Sequence, residues 1–585
     1  MSTESTQHPV LKNRSYKPIL PKRKEWPVVK LSRQRKEFID TVVKNSITKL
    51  LELAPNTDTL IEELEATLYK EKYRIRENPW AVDPDDDRAF WSSAKKILLE
   101  ISSLQADHHH EEAQRKAETL LEEIVDRYAN EIASNFRPSY YRFARSVVTF
   151  GFARLLNASR VKGFGSLFSN QYSLRDKIRI TGEIDHLRSL AQRGTIVMVP
   201  THFSNLDSIL IGWVIHELGL PPFIYGAGLN LFNIGIFAYF MNSLGAYKVD
   251  RRKKNNIYIE TLKSYSSLAM QWGIHSLFFP GGTRSRSGRI EDKLKLGLLG
   301  TAMEAQRTNY LRSQQTGETA EKIFVFPVVL NYHFVLEAPS LIRDHLQREG
   351  QERYYIENDE YSQSSKIISF LLKFFLKGSD ISVSIGRGMD LLGNYVDDEG
   401  HSLDKQGRHI SMREYFCTGE QLTRDEQREN EYTRMLGESI LQEYYRINQV
   451  FSSHLVAFVA FQIIRKQHLS LDLFNLLRLP EEDLIIPYKL FRKNCERVRQ
   501  AVFNLYQQGK LDMPDHLTDP IDDVITHGID NVGMYHAKRP LLKNREDNII
   551  IPDITVLYYY HNRLEGYDLH TFVHPKKKKL IDIAE

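Results

Sequence analysis

Apolar residues recur at intervals of three and four along the first third of the chain, as Leu60, Leu64 and Leu68 illustrate. This spacing places them on one face of an α-helix, so the pattern predicts a helical region over residues 37–193. At Gly194 the pattern changes to a short β-branched run, Thr-Ile-Val-Met-Val-Pro. Such a continuous apolar run is typical of a strand that a parallel sheet buries on both faces.

Beyond Gly194, apolar runs of strand length alternate with helical patterns. The strands are predicted at 223–227, 246–250, 274–279, 323–331 and 381–387, and the helices at 207–218, 231–243, 256–271 and 294–312. This alternation predicts an α/β domain with a largely parallel sheet over residues 194–411. Functional loops are then expected at the carboxyl ends of its strands.

The chain becomes helical again over residues 412–585. Leu455, Phe458, Phe461 and Ile464 share one helical face, whereas the apolar stretch from Ile549 to Tyr560 is interpreted as β-like. The pattern therefore predicts four parts: a basic arm (1–36), a helical N-terminal region (37–193), an α/β domain (194–411) and a helical C-terminal region with a small β element (412–585).

Composition excludes several classes of protein. The 585 residues are 42% hydrophobic and 26% charged, as in ordinary globular proteins. Lysine and arginine number 79 against 75 acidic residues, a net charge of +4, which disfavours a dedicated nucleic-acid binder. The two cysteines, Cys417 and Cys495, allow no disulfide framework and suggest a cytoplasmic protein.

Membrane contact is expected to be peripheral. No secretory signal and no run of about 18 apolar residues is present, but three segments suit a membrane surface. The arm from Lys12 to Lys36 carries ten basic residues and is expected to be extended, either solvated or near anionic lipid. Ser365–Gly378 gathers its lysines on one helical face, and Leu231–Gly245 is apolar; each is either a membrane-facing helix or a core-packed one. These segments predict the cytoplasmic face of a membrane.

The first candidate for chemistry follows the strand that begins at Gly194. His202 stands in the turn after this strand, and Asp207 comes five residues later. With Ser204 or Asn205 capping the next helix, the Asp207 carboxylate can reach the imidazole and make it a general base. The alternative is an ordinary capping box of Ser204 and Asp207, with His202 a plain strand-end residue.

Cations and glycines end the neighbouring strands. Arg251 follows the strand at 246–250, and the segment Phe-Phe-Pro-Gly-Gly-Thr-Arg-Ser-Arg brings Gly282, Arg284 and Arg286 after the next strand. Glycine backbone N–H groups and arginine forks bind phosphate oxygens, so we predict phosphate recognition rather than merely solvated arginines. Pro327 interrupts a later strand, which suits an edge or a bend beside a site. The run Asp107–Glu112 contains three histidines, but adjacent helical histidines point in different directions, so no metal site is predicted.

These blocks, in this order over residues from about 195 to 345, resemble the glycerolipid acyltransferases that use a His and an Asp with four residues between them. The stretch from Val199, with Leu-Gly-Ala-Tyr-Lys-Val-Asp-Arg and Pro-Val-Val-Leu-Asn-Tyr-His behind it, is most similar to the large bacterial glycerol-3-phosphate acyltransferases and their mitochondrial and dihydroxyacetone-phosphate relatives. One departure is Gly281, since the family commonly has Pro-Glu-Gly-Thr where this chain has Pro-Gly-Gly-Thr.

The resemblance implies acyl transfer from acyl-CoA or acyl carrier protein to the sn-1 hydroxyl of glycerol 3-phosphate, the first step of phospholipid synthesis. It implies His202 as general base, Asp207 as its orienting partner, no metal or cofactor, and an acceptor site in which the family positions fall on Arg251, Gly282, Arg284, Arg286 and Pro327. Two alternatives stay open: acylation of lysophosphatidate or dihydroxyacetone phosphate, and a catalytically silent lipid-binding protein, which the glycine at 281 motivates.

Overall fold

The computed structural model describes residues 16–80, 82–139, 141, 178–229, 245–349 and 381–574. Its first described helices are α1 (Pro27–Arg33), α2 (Arg35–Leu53), α3 (Thr57–Glu77), α4 (Asp87–Ala106) and α5 (His110–Ile132). They form a helical N-terminal region, as the spacing of apolar residues predicted. The prediction of an extended arm is wrong for residues 27–36, because Pro27 starts a helix that buries Val28, Val29 and Leu31.

The α/β part follows from Ile178. Its elements are β1 (Ile178–Gly182), α6 (Ile184–Leu190), β2 (Gly194–Pro200), α7 (Asp207–Glu217), β3 (Ile224–Gly228), β4 (Ala246–Val249), α8 (Asn256–Gln271), β5 (Ser276–Leu277), α9 (Leu296–Thr316), β6 (Lys322–Tyr332), α10 (Ala338–Arg348) and β7 (Ile381–Ile385). The predicted strands and the three predicted helices that lie in described residues are all present, with ends displaced by up to four residues.

These strands form one sheet in the order β1-β7-β6-β2-β5-β3-β4. The β6–β7 pair is antiparallel and the other pairs are parallel, which confirms a largely parallel sheet. On β2, Ile196 and Met198 pack into one core with α6 and α7, whereas Val197 and Val199 pack into another with α9. Burial on both faces explains why β2 is apolar at successive positions.

The sheet begins earlier than the sequence pattern indicated. Strand β1 and helix α6 precede Gly194, so the α/β part starts at Ile178 rather than at residue 194. Strand β1 pairs only with β7, with Ile178 opposite Ile381. The local spacing of apolar residues does not reveal a strand partner some two hundred residues away. The short run Ile-Arg-Ile-Thr-Gly also fits a helical pattern.

The C-terminal region is mainly helical. Its elements are β8 (Ser402–Leu403), β9 (His409–Ile410), β10 (Cys417–Thr418), β11 (Gln421–Leu422), α11 (Glu426–Ile447), α12 (Ser452–Gln467), α13 (Leu473–Leu476), β12 (Ile485–Pro487), α14 (Tyr488–Gln507), α15 (Ile521–Asn531), β13 (Leu542–Lys543), β14 (Asn548–Ile550) and α16 (Ile554–His561). Strands β12, β14 and β13 form the small β element.

The predicted β-like stretch from Ile549 to Tyr560 is wrong after its first two residues. The side chain of Asp553 accepts a hydrogen bond from the N–H of Val556 and so caps helix α16, which contains Tyr558, Tyr559 and Tyr560. A short apolar run does not distinguish a buried strand from a buried helix. Here the cap formed by Asp553 favours the helix, which packs into the same hydrophobic core as α12.

Two predicted segments fall outside the described residues: the apolar helix at 231–243 and the amphipathic helix Ser365–Gly378. Within the described ranges, each helix is either too short or too polar to cross a bilayer.

Gly528 marks a close approach of two helices in the C-terminal region. A Cβ atom at this position of α15 would lie 2.6 Å from the carbonyl oxygen of Ser452 in α12. We therefore expect Gly528→Val to lower the free energy of unfolding by about 1–3 kcal/mol. The matched control is Gly300→Ala in α9, where a Cβ meets its nearest atom at 3.7 Å; this substitution should be neutral or stabilise by about 0.5–1 kcal/mol. Denaturant unfolding measures both, and equal losses would contradict the packing of α12 against α15.

Candidate active site

His202 and Asp207 form a hydrogen-bonded pair at the carboxyl end of β2. His202 Nδ1 lies 2.8 Å from Asp207 Oδ2, the imidazole is 16% exposed and the Asp207 side chain is fully buried. A carboxylate oxygen accepts, so Nδ1 carries the proton and Nε2 is the nitrogen that can take a proton from a substrate. The ring is also stacked on Phe279, with centroids 4.2 Å apart, which fixes its plane.

Asp207 is held by four donors. Its Oδ2 also accepts from the N–H groups of Phe203 at 2.6 Å and Ser204 at 2.9 Å, and its Oδ1 accepts from the Tyr332 hydroxyl at 2.5 Å. The expectation that Ser204 or Asn205 occupies the cap position of α7 is wrong, because that position is Leu206. Ser204 Oγ donates to Glu337 and accepts from the N–H of Leu206 at 3.2 Å. The turn folds back because the aspartate itself satisfies its N–H groups.

The predicted histidine and arginines share one cleft. A cavity of about 970 Å³ is lined by His202, Arg251, Gly282, Arg284 and Arg286. Strand β5 lies directly beside β2 in the sheet, and β3 and β4 follow it, so the loops after β2, β4 and β5 open at the same edge. The cleft therefore lies at the carboxyl ends of the strands, the edge at which ligands of α/β sheets usually bind.

Two of the arginines already have carboxylate partners. Arg284 Nη1 lies 3.3 Å from Glu337 Oε1, and Arg286 forms an ion pair with Asp344 of α10. Glu337 also accepts from the N–H of Asn205 at 2.9 Å, so one buried carboxylate joins the loop of His202 to the loop of the arginines. These contacts hold both loops in a fixed relation.

Arg251 and Lys295 supply positive charge that no carboxylate neutralises within the described ranges. Burial lowers the pKa of Arg251, and the charges of Arg286 and Arg284 lower it further. Burial likewise lowers the pKa of Lys295, with Arg251 and Arg286 contributing. Mutual repulsion of this kind disfavours the charged forms unless an anion is bound, so the cluster is suited to a phosphate group.

Lys295 is a residue that the sequence analysis missed. It follows the arginine loop by nine residues and returns to it, because its N–H donates to the carbonyl oxygen of Pro280 at 2.7 Å. Its side chain covers Gly282, where a Cβ atom would lie 2.5 Å from the Lys295 Cδ. Gly282 has a φ of +75°, which glycine adopts readily, and its N–H donates to Phe279 in a turn.

Pro327 does not join the cleft. It lies in β6, an interior strand of the sheet, opposite Val199 of β2, and its side chain is buried. The prediction of an edge or a bend beside a site is therefore wrong. On the side of β7, Pro327 lies just beyond the last ladder pair, Val328 opposite Ile385, and its carbonyl oxygen accepts the N–H of Gly386 at 2.8 Å.

The N-terminal region places Arg251. Its two neighbours are paired with acidic residues: Arg252 with Asp83 and Asp250, and Lys253 with Glu131 of α5. These ion pairs fasten the segment after β4 to the helical region, and Arg251 is left at the cleft.

Two residues of the C-terminal region contact the loops that form the cleft. Arg563 is buried, its guanidinium lies 4.0 Å from the centroid of the Phe203 ring, and it donates to the carbonyl oxygen of Leu330 at 2.7 Å. Burial lowers the pKa of Arg563 to about 10, and Glu291 and Asp207 oppose this shift. Asn562 donates to the carbonyl oxygen of Ser287 at 2.9 Å, so adjacent residues of this region contact both catalytic loops.

Glu291 is a second residue that the sequence analysis missed. Its Oε1 accepts from the N–H of His202 at 3.1 Å, and its Oε2 is shielded from solvent without a hydrogen-bond partner in the described structure. Burial raises the pKa of Glu291 to about 7; the negative charge of Asp207 adds to this shift, whereas the hydrogen bonds and Arg563 oppose it.

One group of potential metal ligands exists among the described residues, and it lies away from the cleft. Asp397, His401 and His409 bring their ligand atoms within 4.8 Å of one another. Asp397 accepts from the backbone N–H of His401 and contacts its imidazole. Asp404 makes the same pair of contacts with the backbone N–H and the guanidinium of Arg408. We interpret the group as an ion-paired turn, and we assign no metal to it.

Comparison with known proteins identifies the domain that carries this site. Residues 180–331 match the family model described as Acyltransferase. The glycerol-3-phosphate acyltransferase of Pseudomonas aeruginosa (strain UCBPP-PA14) is 27% identical over 234 residues, which are 40% of this chain and 24% of that protein. The protein of the same name from Ectopseudomonas mendocina (strain ymp) is 24% identical over 365 residues, 62% of this chain and 37% of the relative.

The chain therefore contains an acyltransferase domain, and the resemblance that the four motifs predicted is confirmed. The matched segments cover only about a quarter to a third of the length of these relatives.

The raised pKa of Glu291 makes stability depend on pH. The folded protein holds this proton up to about pH 7, whereas the unfolded chain releases it near pH 4.5, so the contribution of Glu291 to stability is lost as the pH rises through this window. We expect Glu291→Gln to match the wild type at pH 4.5 and to exceed its free energy of unfolding above pH 7, by on the order of 1 kcal/mol. Denaturant unfolding at both pH values tests this, and a difference that is the same at both would contradict it.

Proposed function

Since residues 180–331 form an acyltransferase domain, we propose that this protein transfers a fatty acyl group from an acyl thioester to the sn-1 hydroxyl of glycerol 3-phosphate. The observation that carries the proposal is the common cleft of His202 and the cations Arg251, Arg284, Arg286 and Lys295. A base and a phosphate site in one cavity suit an acceptor that has both a hydroxyl and a phosphate.

The chemistry assigns one proton path. His202 Nε2 removes the proton of the acceptor hydroxyl as its oxygen bonds to the thioester carbonyl carbon, and the C–S bond then breaks. The imidazolium returns the proton to the leaving thiolate, so the products are an ester and a free thiol. Asp207 stabilises the imidazolium through Nδ1. An alcohol is a poor nucleophile at neutral pH, so a positioned base contributes about 100- to 10,000-fold.

The acceptor is oriented by its phosphate. Arg251 and Lys295 have no carboxylate partner in the described structure, so a bound phosphate would neutralise their charges. Arg284 and Arg286 line the same cleft and add positive charge to the phosphate site. The N–H of Gly282 is used in a turn, so the oxyanion of the tetrahedral intermediate requires a different hydrogen-bond donor.

The acyl donor and the location are part of the same proposal. Val249, Leu262 and Leu298 line the cleft beside the cations and provide apolar surface for an acyl chain. We propose acyl-CoA or acyl carrier protein as the donor, and action at the cytoplasmic face of a membrane in phospholipid synthesis. Vesicle flotation, with and without anionic lipid, tests the membrane part separately from activity.

His202→Ala tests the base. With labelled acyl thioester and glycerol 3-phosphate, we expect the variant to lose at least about 100-fold in kcat because the proton acceptor is absent. His109→Ala, an exposed histidine in the helical N-terminal region, is the control and should retain full activity.

A panel of acceptors in the same assay separates the alternatives. Faster turnover of lysophosphatidate or dihydroxyacetone phosphate would reassign the acceptor. Lipid binding without thioester consumption for any acceptor would favour the silent lipid-binding protein, and full activity of His202→Ala would refute the base.

Lys295→Met tests the phosphate site. Removing one unneutralised cation should raise the KM for glycerol 3-phosphate about 10-fold or more, because a charge-assisted contact contributes roughly 1.5–3 kcal/mol. The KM for the acyl donor should change little. Lys293→Met, two residues away and exposed but outside the cleft, is the matched control. Equal KM values for the two variants would remove Lys295 from the acceptor site.

A further inference from the structure

We propose that Glu291 is the positioning residue of the active site, and that it supplies from ten residues downstream the carboxylate that this chain lacks at Gly281. The inference rests on the proposed function and names a residue that neither the sequence motifs nor the comparisons assign. Three observations support it: a shared space, a permissive backbone and a hydrogen bond to His202.

The first observation is that Glu291 occupies the space beside Gly281. A Cβ atom at position 281 would lie 3.0 Å from both Cγ and Oε1 of Glu291. This separation is tighter than ordinary van der Waals contact, so a side chain at 281 would displace the Glu291 side chain and compete with it for this space. The loop therefore has room for one carboxylate, which comes either from position 281 or from position 291.

The second observation is that the backbone itself does not require glycine at 281. Gly282 has a left-handed φ of +75°, whereas Gly281 is not among the residues with positive φ. A side chain at 281 would cause no backbone strain. The constraint on a side chain at 281 therefore comes from the neighbouring Glu291 and not from the backbone conformation.

The third observation is what the carboxylate does. Glu291 Oε1 accepts from the N–H of His202 at 3.1 Å, while the carbonyl oxygen of His202 accepts from the N–H of Ser285 at 2.7 Å. Both backbone polar groups of the histidine are thereby held by the loop that carries the arginines. Glu291 is not among the residues that line the cleft, so it acts through His202 and not by touching the acceptor.

A positioning role predicts a specific kinetic pattern. Glu291→Met keeps the side-chain volume but removes the acceptor, whereas Glu291→Gln keeps an oxygen that can accept from the N–H of His202. We expect the methionine variant to lose about 10- to 100-fold in kcat, because a small misplacement of a catalytic group has effects of this size. Its KM for glycerol 3-phosphate should stay within about twofold. The glutamine variant should retain at least about half of the wild-type kcat.

Asp292→Asn is the matched control, since Asp292 is the exposed neighbour of Glu291, and its kcat should be unchanged. Circular dichroism and denaturant unfolding of each variant identify any that do not fold. Equal kcat values for the methionine and glutamine variants, both folded, would overturn the inference.

Relocating the carboxylate gives a reciprocal test. Gly281→Glu alone should lose activity, because two side chains compete for one space. Combining it with Glu291→Ala should restore kcat at least about 10-fold over the single variant. The double variant Gly281→Ala with Glu291→Ala relieves the same crowding without a carboxylate and should not recover. Equal activity of the two double variants would overturn the inference.

Failure of the proposed function gives a different result. If the wild type consumes no thioester with any acceptor, the acyltransferase proposal fails. Denaturant unfolding of the variants then tests by itself whether the side chains at positions 281 and 291 compete for one space. Gly281→Glu should lower the denaturant midpoint, and adding Glu291→Ala should restore it in part. A double variant that is less stable than either single variant would show that positions 281 and 291 do not share a space.

Discussion

The buried carboxylate of Asp207 is the group on which the rest of the site depends. It accepts from the imidazole of His202, from two successive backbone N–H groups and from the Tyr332 hydroxyl. A buried charge is stable only when its hydrogen-bonding capacity is satisfied, and these four donors satisfy it. The same contacts close the turn after β2 and fix the tautomer of the histidine, which leaves Nε2 as its proton-accepting nitrogen.

Uncompensated positive charge is the second constraint. Burial, and to a smaller extent the charges of neighbouring cations, lowers the pKa values of Arg251 and Lys295, an arrangement that an anionic ligand relieves. The surrounding protein keeps them in place: ion pairs of Arg252 and Lys253 fasten one segment to the N-terminal helices, and the N–H of Lys295 fastens the other to the arginine loop. The helical flanks thus take part in forming the site.

Three carboxylates near His202, from different parts of the chain, each hold a different part of the site. Asp207 holds the ring, Glu337 joins the histidine loop to Arg284, and Glu291 holds the backbone of His202. Arg563, from near the C-terminal end of the described structure, places a buried positive charge beneath this group. Burial of Glu291 itself, with a smaller contribution from the charge of Asp207 and against the opposing charge of Arg563, raises the pKa of this carboxylate to about 7.

The sequence by itself determined the alternation of strands and helices from Gly194 onward, the pairing of His202 with Asp207 and the convergence of the arginines, because these follow from local periodicity and from strand ends that share one edge. Only the tertiary structure decided the strand at Ile178, the helix that contains Tyr559, the contact of Glu291 with the His202 backbone and the position of Lys295 over Gly282. A strand partner far along the chain, a choice between two buried conformations and a side chain that folds back onto an earlier loop all depend on contacts between distant residues, which the spacing of residue types along the chain does not encode.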